Sequence, residues 1–187
     1  MKVKIDEIAT LIPGVNQSRT NINSDEVFYD QTMFESDSMN MFLYKSNTSS
    51  KSSSSDIYLM EGDVVISSST QLATIVGPSD MQRILTVNFI KVNLKSTIDK
   101  YFFVYLYNFN QDLKRQKEKA TQTMGLVQRL TLKSIGEIRI PKLSMDKQLV
   151  IGKSYLEMLK LHNKNSQFSD LFEKLTYSIL EENMEDK

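Results

Sequence analysis

The sequence changes its periodicity abruptly between Gly125 and Leu159, and this change constrains the fold more than any other feature. The first part favours a short strand that ends at a proline, since proline cannot continue a sheet ladder; its residues are Ile135, Ile138, Ile140 and Pro141. Ser144 suits the N-terminal cap of a helix. Leucines at helical spacing follow it at positions 149, 156 and 159. The pattern predicts a domain over residues 1–143 and a helical region over residues 144–187 that leaves it.

Strand and turn signals dominate the first ninety residues. A short strand and a turn of helix are expected before Pro13-Gly14. Residues 16–40 are expected to be irregular, with one strand near 26–29. Strand signals resume at Ile57, and β-branched and aromatic runs predict strands at 64–66, 72–76 and 84–92. In the step Gly62-Asp63, glycine permits a tight turn and the carboxylate can bond backbone amides there.

Helical spacing appears in three later segments. A capping-box pattern at Ser96–Asp99 predicts a helix whose apolar positions reach Leu113. A second helix is expected from Ser144, and a break at 162–165 separates it from a third over the last twenty residues. Together these elements predict an α+β fold, in which a β-rich domain with a packed helix is followed by a projecting amphipathic helix, of coiled-coil type, and a C-terminal helix.

Charge is distributed unevenly although the formal net charge is zero. Residues 1–90 carry a net charge of −5, residues 91–166 a net charge of +9 and the last 21 residues a net charge of −4. A basic middle of this kind is the electrostatic footprint expected for phosphate contacts. It is equally the pattern of a solvated, lysine-rich helix pair.

Composition excludes several classes of chemistry. The chain has no cysteine and one histidine, His162, so a disulfide framework and a cysteine zinc site are impossible. Its six glycines are scattered and form no phosphate loop. We therefore predict no catalytic residue, no metal and no cofactor. The competing possibility is a magnesium enzyme that uses Asp56, Glu61, Asp63 and Glu137.

Neither a signal peptide nor a membrane helix is evident. The first nine residues lack an apolar core. The longest aromatic-rich apolar run, Tyr101–Phe109, is much shorter than the roughly 20 residues of a membrane helix. A cytoplasmic protein without a membrane partner is expected.

The junction of strand and helix also carries a family resemblance. Its residues are Ile140, Pro141, Leu143, Ser144 and Gln148. They resemble the boundary between a target-recognition domain and its spacer helix in the DNA-specificity (S) subunit of type I restriction–modification enzymes. Three earlier segments resemble the same family in the family's own order: KVKIDEIATLIPG, LMEGDVVISSSTQLATIVG and NFIKVNLKSTIDKYFFVYLYN.

The resemblance implies a non-catalytic protein that binds double-stranded DNA sequence-specifically. Such a protein directs a methyltransferase (modification) subunit, and a restriction (nuclease) subunit, to a bipartite target. A full S subunit has two recognition domains and two spacer helices, whereas one of each is evident here. A half-length form is therefore expected, which forms a homodimer through its C-terminal helices.

Side-chain chemistry suggests candidate positions for contact with DNA and for contact with a second copy or another protein partner. Arginine and lysine serve phosphate and guanine, while glutamine can read adenine. The DNA candidates are Lys45, Lys51, Gln71, Arg83, Lys91, Gln122 and Arg129. The candidate dimer or partner interface is Leu149, Gly152, Leu156 and Leu159.

One further alternative retains the same fold without DNA reading. A non-catalytic structural protein could self-associate or bind a protein partner, and the acidic first half suits it.

Overall fold

The computed structural model describes residues 1–20, 23–41, 56–122 and 130–185. These residues form a domain of mixed strands and helices with one long helix after it, so the predicted α+β fold class is confirmed. The strands are β1 (Lys2–Lys4), β2 (Ala9–Pro13), β3 (Glu26–Phe28), β4 (Tyr58–Leu59), β5 (Val64–Ser67), β6 (Ala73–Ile75), β7 (Gln82–Ile84), β8 (Phe89–Leu94) and β9 (Arg139–Pro141). The helices are α1 (Ile5–Ile8), α2 (Gln31–Asn40), α3 (Lys100–Phe109), α4 (Gln111–Gln122), α5 (Leu132–Glu137) and α6 (Met145–Glu185).

The described strands form three sheets. The largest is antiparallel, in the order β2-β8-β5-β6. The second has the order β3-β7-β4, with β3 parallel to β7. β1 and β9 pair antiparallel and bring the two ends of the domain together. Central strand β8 has partners on both sides, since Val92 lies opposite Leu11 of β2 and Val64 of β5.

Helix α3 is the centre of the core. Six of its ten residues are buried, namely Tyr101, Phe102, Phe103, Val104, Leu106 and Tyr107. Its Asn108 side chain accepts a hydrogen bond from the Ala73 amide at 2.7 Å and donates one to the Ala73 carbonyl at 2.9 Å. The amide group thus takes the place of a neighbouring strand at the edge of β6. An exposed strand edge invites pairing with other chains, and this contact covers part of it.

The predicted capping box at Ser96 is wrong. Asp99 is the N-cap of α3, because its carboxylate accepts a hydrogen bond from the Phe102 amide at 2.8 Å. The predicted continuation to Leu113 is also wrong. Asn110 adopts an extended conformation that ends α3, and its side chain accepts hydrogen bonds from the Asp112 and Leu113 amides at the start of α4.

Two other segments differ from the expectation. The strand expected from Ile135 is instead helix α5, capped by the Thr131 hydroxyl, and the strand β9 begins only at Arg139. Within residues 16–40 the strand near 26–29 is confirmed, but the rest contains helix α2. Asp30 caps α2 by accepting a hydrogen bond from the Met33 amide at 2.8 Å. The apolar residues of α2 do not form one stripe, so periodicity gave no signal.

The C-terminal region is one helix rather than two. Helix α6 runs for 41 residues through the break predicted at 162–165. That segment contains neither glycine nor proline, and Gln167 donates to Asn163 at 2.8 Å along the helix surface. At 1.5 Å per residue the helix is about 60 Å long. Its first part packs on α3, and residues 164–184 are all exposed.

The junction between the domain and α6 is tightly packed. Gln148 is buried, and its side chain accepts from the Asp99 amide and donates to the carbonyls of Thr97 and Leu143. One turn later, a Cβ at Gly152 would contact the Asp99 carboxylate and lie 3.1 Å from the Phe102 nitrogen. The absent side chain therefore lets α6 approach the N-terminus of α3 closely.

Candidate nucleic-acid interface

Three loops that are distant in sequence meet at one end of the large sheet. The Val15 amide donates to the Leu85 carbonyl at 2.9 Å, and the Val87 amide donates to the Val15 carbonyl at 3.0 Å. The Ser68 amide donates to the Asn88 carbonyl at 2.8 Å. We call the surface formed by residues 14–20, 67–72 and 86–88 the loop face. Its parts are joined by backbone hydrogen bonds, so it is one structural unit.

The first loop is shaped by Asn16. Its side chain accepts from the Ser18 amide at 3.1 Å and from the Ser18 hydroxyl at 2.9 Å. The Thr20 hydroxyl donates to the Asn16 carbonyl at 3.0 Å. These bonds fold a single 3-10 turn, Gln17–Arg19, in which Gln17 and Arg19 are both exposed.

The second loop is the β5–β6 turn. The buried Ser67 hydroxyl lies 3.0 Å from the Ser69 hydroxyl and accepts from the Thr70 amide at 3.3 Å. Gln71 adopts a φ of 57°, and among the described non-glycine residues it alone has a positive φ. A left-handed glutamine is uncommon and is retained where its surroundings fix it.

The chemistry of the loop face suits nucleic acid. Its segments contain no aspartate or glutamate, although residues 1–90 as a whole carry a net charge of −5. The exposed side chains are amides, hydroxyls, one guanidinium and two apolar groups: Asn16, Gln17, Ser18, Arg19, Ser69, Thr70, Leu72, Val87 and Asn88. Amides and hydroxyls match base edges, arginine matches guanine or phosphate, and apolar groups contact the thymine methyl. The loop face therefore combines the side-chain types that read a DNA groove.

Of the predicted DNA residues, only Gln71 lies on the loop face. Lys45, Lys51 and Arg129 lie outside the described residues, and Gln122 is the last residue of α4. The remaining two, Arg83 and Lys91, form ion pairs inside the domain.

Arg83 holds α2 against the turn that follows β6. Its guanidinium lies 3.2 Å from the Asp37 carboxylate and donates to the Gly77 carbonyl at 3.3 Å. Asp37 also accepts from the Tyr29 hydroxyl at 2.8 Å and from the Gly77 amide at 3.1 Å. Because both charges are largely buried and mutually paired, this arginine serves the fold.

Lys91 supports the predicted Gly62-Asp63 turn. Its ammonium lies 2.6 Å from the Asp63 carboxylate and donates to the Tyr58 carbonyl at 3.0 Å. Asp63 also accepts from the Met60 amide at 2.8 Å, and Gly62 has a φ of 87°. The predicted turn chemistry is confirmed. Asp63 was also a candidate magnesium ligand, and no cluster of three or more metal-binding side chains occurs in the described part of the chain.

The predicted partner positions are divided between two environments. Gly152 is buried against α3, and Leu156 and Leu159 are partly buried against the core. Leu149 is half-exposed. Nearby, the Tyr155 ring packs 5.7 Å from those of Tyr105 and Phe109, and burial raises its pKa to about 12. Most of the predicted stripe thus covers the chain's own domain.

A larger apolar surface lies further along α6, mostly in the segment whose sequence pattern predicts a separate helix. Phe168 is 70% exposed and Phe172 is 62% exposed. Leu161, Leu175 and Ile179 lie on the same face, while Leu171 and Leu180 flank it, and all five are about half-exposed or more. Contiguous apolar surface of this kind marks an interaction site.

A depression beside β7 is less suited to nucleic acid. It has a volume of about 410 Å³ and is lined by residues 59–61 and 77–83. Glu61 and Asp80 are in that lining, and carboxylates repel phosphate.

None of the described helices is long and apolar enough to cross a membrane.

The fold and the loop face define a class of protein: a loop-bearing α+β domain carried on one long helix. Neither a protein-family model nor a curated protein matches this chain. Solved structures that are similar to this chain include the following. The HsdS subunit from Thermoanaerobacter tengcongensis is 12% identical with a TM-score of 0.56, over 90% of this chain and 39% of that chain. The S subunit of the type I restriction–modification system from M. genitalium is 16% identical with a TM-score of 0.51, over 95% and 42%.

A third similar chain comes from a structure that addresses complex assembly and conformational transition of the type I restriction–modification system. It is 13% identical with a TM-score of 0.59, over 97% of this chain and 43% of that chain. This chain therefore has the fold of type I S subunits, as the resemblance predicted, and spans about two fifths of the length of the chains that it matches.

Proposed function

We propose that this chain is a sequence-specific DNA-recognition component of a type I restriction–modification system. The observation that carries the proposal is the fold match, which covers 90–97% of this chain and includes two S subunits. The proposed role is non-catalytic. The chain binds duplex DNA and directs a methyltransferase subunit, and a restriction subunit where one is present, to the bound site.

The loop face is the proposed DNA-contacting surface. It presents amide, hydroxyl and guanidinium groups without a carboxylate. Helix α4 lies next to its β5–β6 turn, because Lys117 on α4 donates a hydrogen bond to the Gln71 carbonyl. The same helix exposes Lys114, Arg115 and Lys119, which add positive charge that attracts DNA phosphates to this part of the domain.

Replacing Arg19 by alanine tests this surface. We expect binding to a random-sequence duplex to weaken about tenfold and the slope of log K against log salt to fall by about 1, because one phosphate contact is lost. A mobility-shift titration at about 50 mM and about 200 mM salt measures both quantities. Lys174→Ala is the matched control, since it removes one exposed cation from the distal part of α6.

Two outcomes would contradict the proposal. If the folded wild-type protein shifts no duplex at the lower salt, the protein does not bind DNA. The proposed DNA-recognition role is then replaced by a structural or protein-binding role. If Arg19→Ala and Lys174→Ala weaken binding equally, the contact surface lies elsewhere.

The distal half of α6 is the proposed interface with a second copy of this chain. Its apolar residues alternate in steps of three and four: Met158, Leu161, Phe168, Phe172, Leu175 and Ile179, with Asn165 completing the pattern. We call this set of seven residues the α6 seam. A heptad seam packs against another seam of the same kind, so a second copy is a self-complementary partner. Asn165 limits the registers that the seam accepts.

Pairing of two copies would present two equivalent loop faces. A two-fold symmetric arrangement matches a DNA target with two half-sites. The rigid junction at Gln148 and Gly152 supports this arrangement, because it fixes the direction in which α6 leaves each domain.

A further inference from the structure

A buried lysine holds the β5–β6 turn of the loop face from outside the sheet. Lys117 of α4 donates to the Gln71 carbonyl at 2.9 Å and to the Tyr107 carbonyl at 2.8 Å. Its Nζ also lies 4.4 Å from the centroid of the Tyr107 ring. The residue is 6% exposed. One ammonium group therefore joins the last turn of α3, helix α4 and the loop face.

The setting of this lysine is unusual for a purely structural residue. Buried lysines normally pair with a carboxylate, since an unpaired buried charge is costly. The four ion pairs formed by the described residues do not include Lys117. Its partners are instead two carbonyl oxygens and an aromatic face. An apolar side chain would avoid the desolvation cost but could not bind both carbonyls.

The turn that Lys117 contacts is the strained one. Gln71 is held at a φ of 57° by two hydrogen bonds at its backbone. Its amide donates to the Ser67 carbonyl at 2.9 Å, and its carbonyl accepts from Lys117. Strained residues persist where surrounding contacts over-determine them, and such positions cluster at functional sites.

We propose that Lys117 is a positioning residue for DNA recognition, whose ammonium group fixes the β5–β6 turn so that Ser69, Thr70 and Gln71 meet the DNA in one conformation. This inference rests on the proposed function, because it assigns the loop face to DNA. Lys117 itself touches no DNA, since its side chain is directed into the domain.

The charge of Lys117 is open to change near neutral pH. Burial lowers its pKa to about 8, and the positive charge of Lys114 on the same helix acts in the same direction, while Glu118 opposes them. From α3 it faces the Tyr107 ring and carbonyl, and from the turn it faces the Gln71 carbonyl. Above this pKa the amine is neutral. Its hydrogen bonds then lose their charge assistance, which roughly halves their strength.

The test compares the wild type with Lys117→Arg and Lys117→Met in binding to the best duplex selected from a random pool. Between about pH 7 and about pH 9 we expect wild-type affinity to fall roughly three- to tenfold, because Lys117 deprotonates in that interval whereas exposed lysines do not. Lys117→Arg should show no such fall, since arginine stays charged. Lys117→Met should bind weakly at both values. A wild-type profile that is flat, or equally steep in Lys117→Arg, would overturn the proposal.

Hydrogen exchange at the Gln71 amide separates this inference from the proposed function. The measurement needs no DNA. We expect Lys117→Met to exchange at least tenfold faster at Gln71 than the wild type, with the α3 amides unchanged. Faster exchange in a protein that binds no DNA would support the positioning of the turn and contradict only the proposed function. Unchanged exchange would overturn the inference even if the wild type binds DNA. If Lys117→Met does not fold, the protection factor of the Gln71 amide in the wild type is compared at about pH 7 and about pH 9 instead. A lower protection factor at the higher pH supports the inference, and an unchanged one overturns it.

Discussion

Replacing Gly14 by alanine will destabilise the domain by about 3 kcal/mol, because the position has no room for a β-carbon. A Cβ at Gly14 would overlap the carbonyl oxygen of Thr86 and lie 2.8 Å from that of Leu85. Both obstacles are backbone atoms, so neither can rotate away. The first loop would have to leave the β7–β8 turn, and the hydrogen bond from the Val15 amide to the Leu85 carbonyl would be lost.

Urea unfolding followed by circular dichroism measures this change. Gly136→Ala is the matched control, because a Cβ there would lie 3.4 Å from the Asp6 Cβ, an ordinary contact. Gly136 is also inside helix α5, where alanine is favoured over glycine by up to about 1 kcal/mol. The control should therefore equal or exceed the wild type in stability. Equal unfolding midpoints for Gly14→Ala and the wild type would show that the two loops are not in close contact.

The double replacement Phe168→Glu and Leu175→Glu will weaken self-association at least about 100-fold. Both residues belong to the α6 seam, and each apolar side chain of this size contributes about 2 kcal/mol when fully buried. A two-fold pair loses them from both copies. The domain itself should unfold at an unchanged denaturant concentration, because in the single chain both side chains are largely exposed.

Sedimentation equilibrium measures this association. The control is Ser166→Glu with Gln167→Glu, which adds the same two charges on the opposite side of the helix. It should associate like the wild type. A wild-type protein that stays monomeric at tens of micromolar, or a seam variant that associates normally, would contradict a second copy as the partner of α6.

Local residue patterns predicted several of the strands, because strand signals depend on neighbours in sequence, although the strand expected from Ile135 is helix α5. The β-branched runs that follow Gly62-Asp63 became β5 and β6, and the turn chemistry was as expected. Helix boundaries were predicted less well. Asn110 ends α3 and starts α4 by its own hydrogen bonds, yet asparagine also occurs inside helices, as Asn163 and Asn165 do in α6.

The roles of charged residues could not be assigned from the sequence, because their partners are distant along the chain. Arg83 pairs with a carboxylate 46 positions away, and nothing near Arg83 indicates this. The loop face likewise depends on contacts between residues that are distant along the chain. Sheet register brings residues 14–20, 67–72 and 86–88 together, so only the folded chain shows that three loops free of carboxylates form one surface.

Selection of bound sequences from a random duplex pool tests whether the loop face reads DNA sequence. The wild type is compared with Gln71→Ala combined with Asn88→Ala, two loop-face residues whose side chains can read base edges. We expect the wild type to enrich a defined sequence. We expect the double variant to lose preference at one or more positions but to keep its sequence-independent affinity. A folded wild-type protein that enriches no sequence, or a double variant that enriches the same sequence to the same degree, would contradict DNA reading by the loop face.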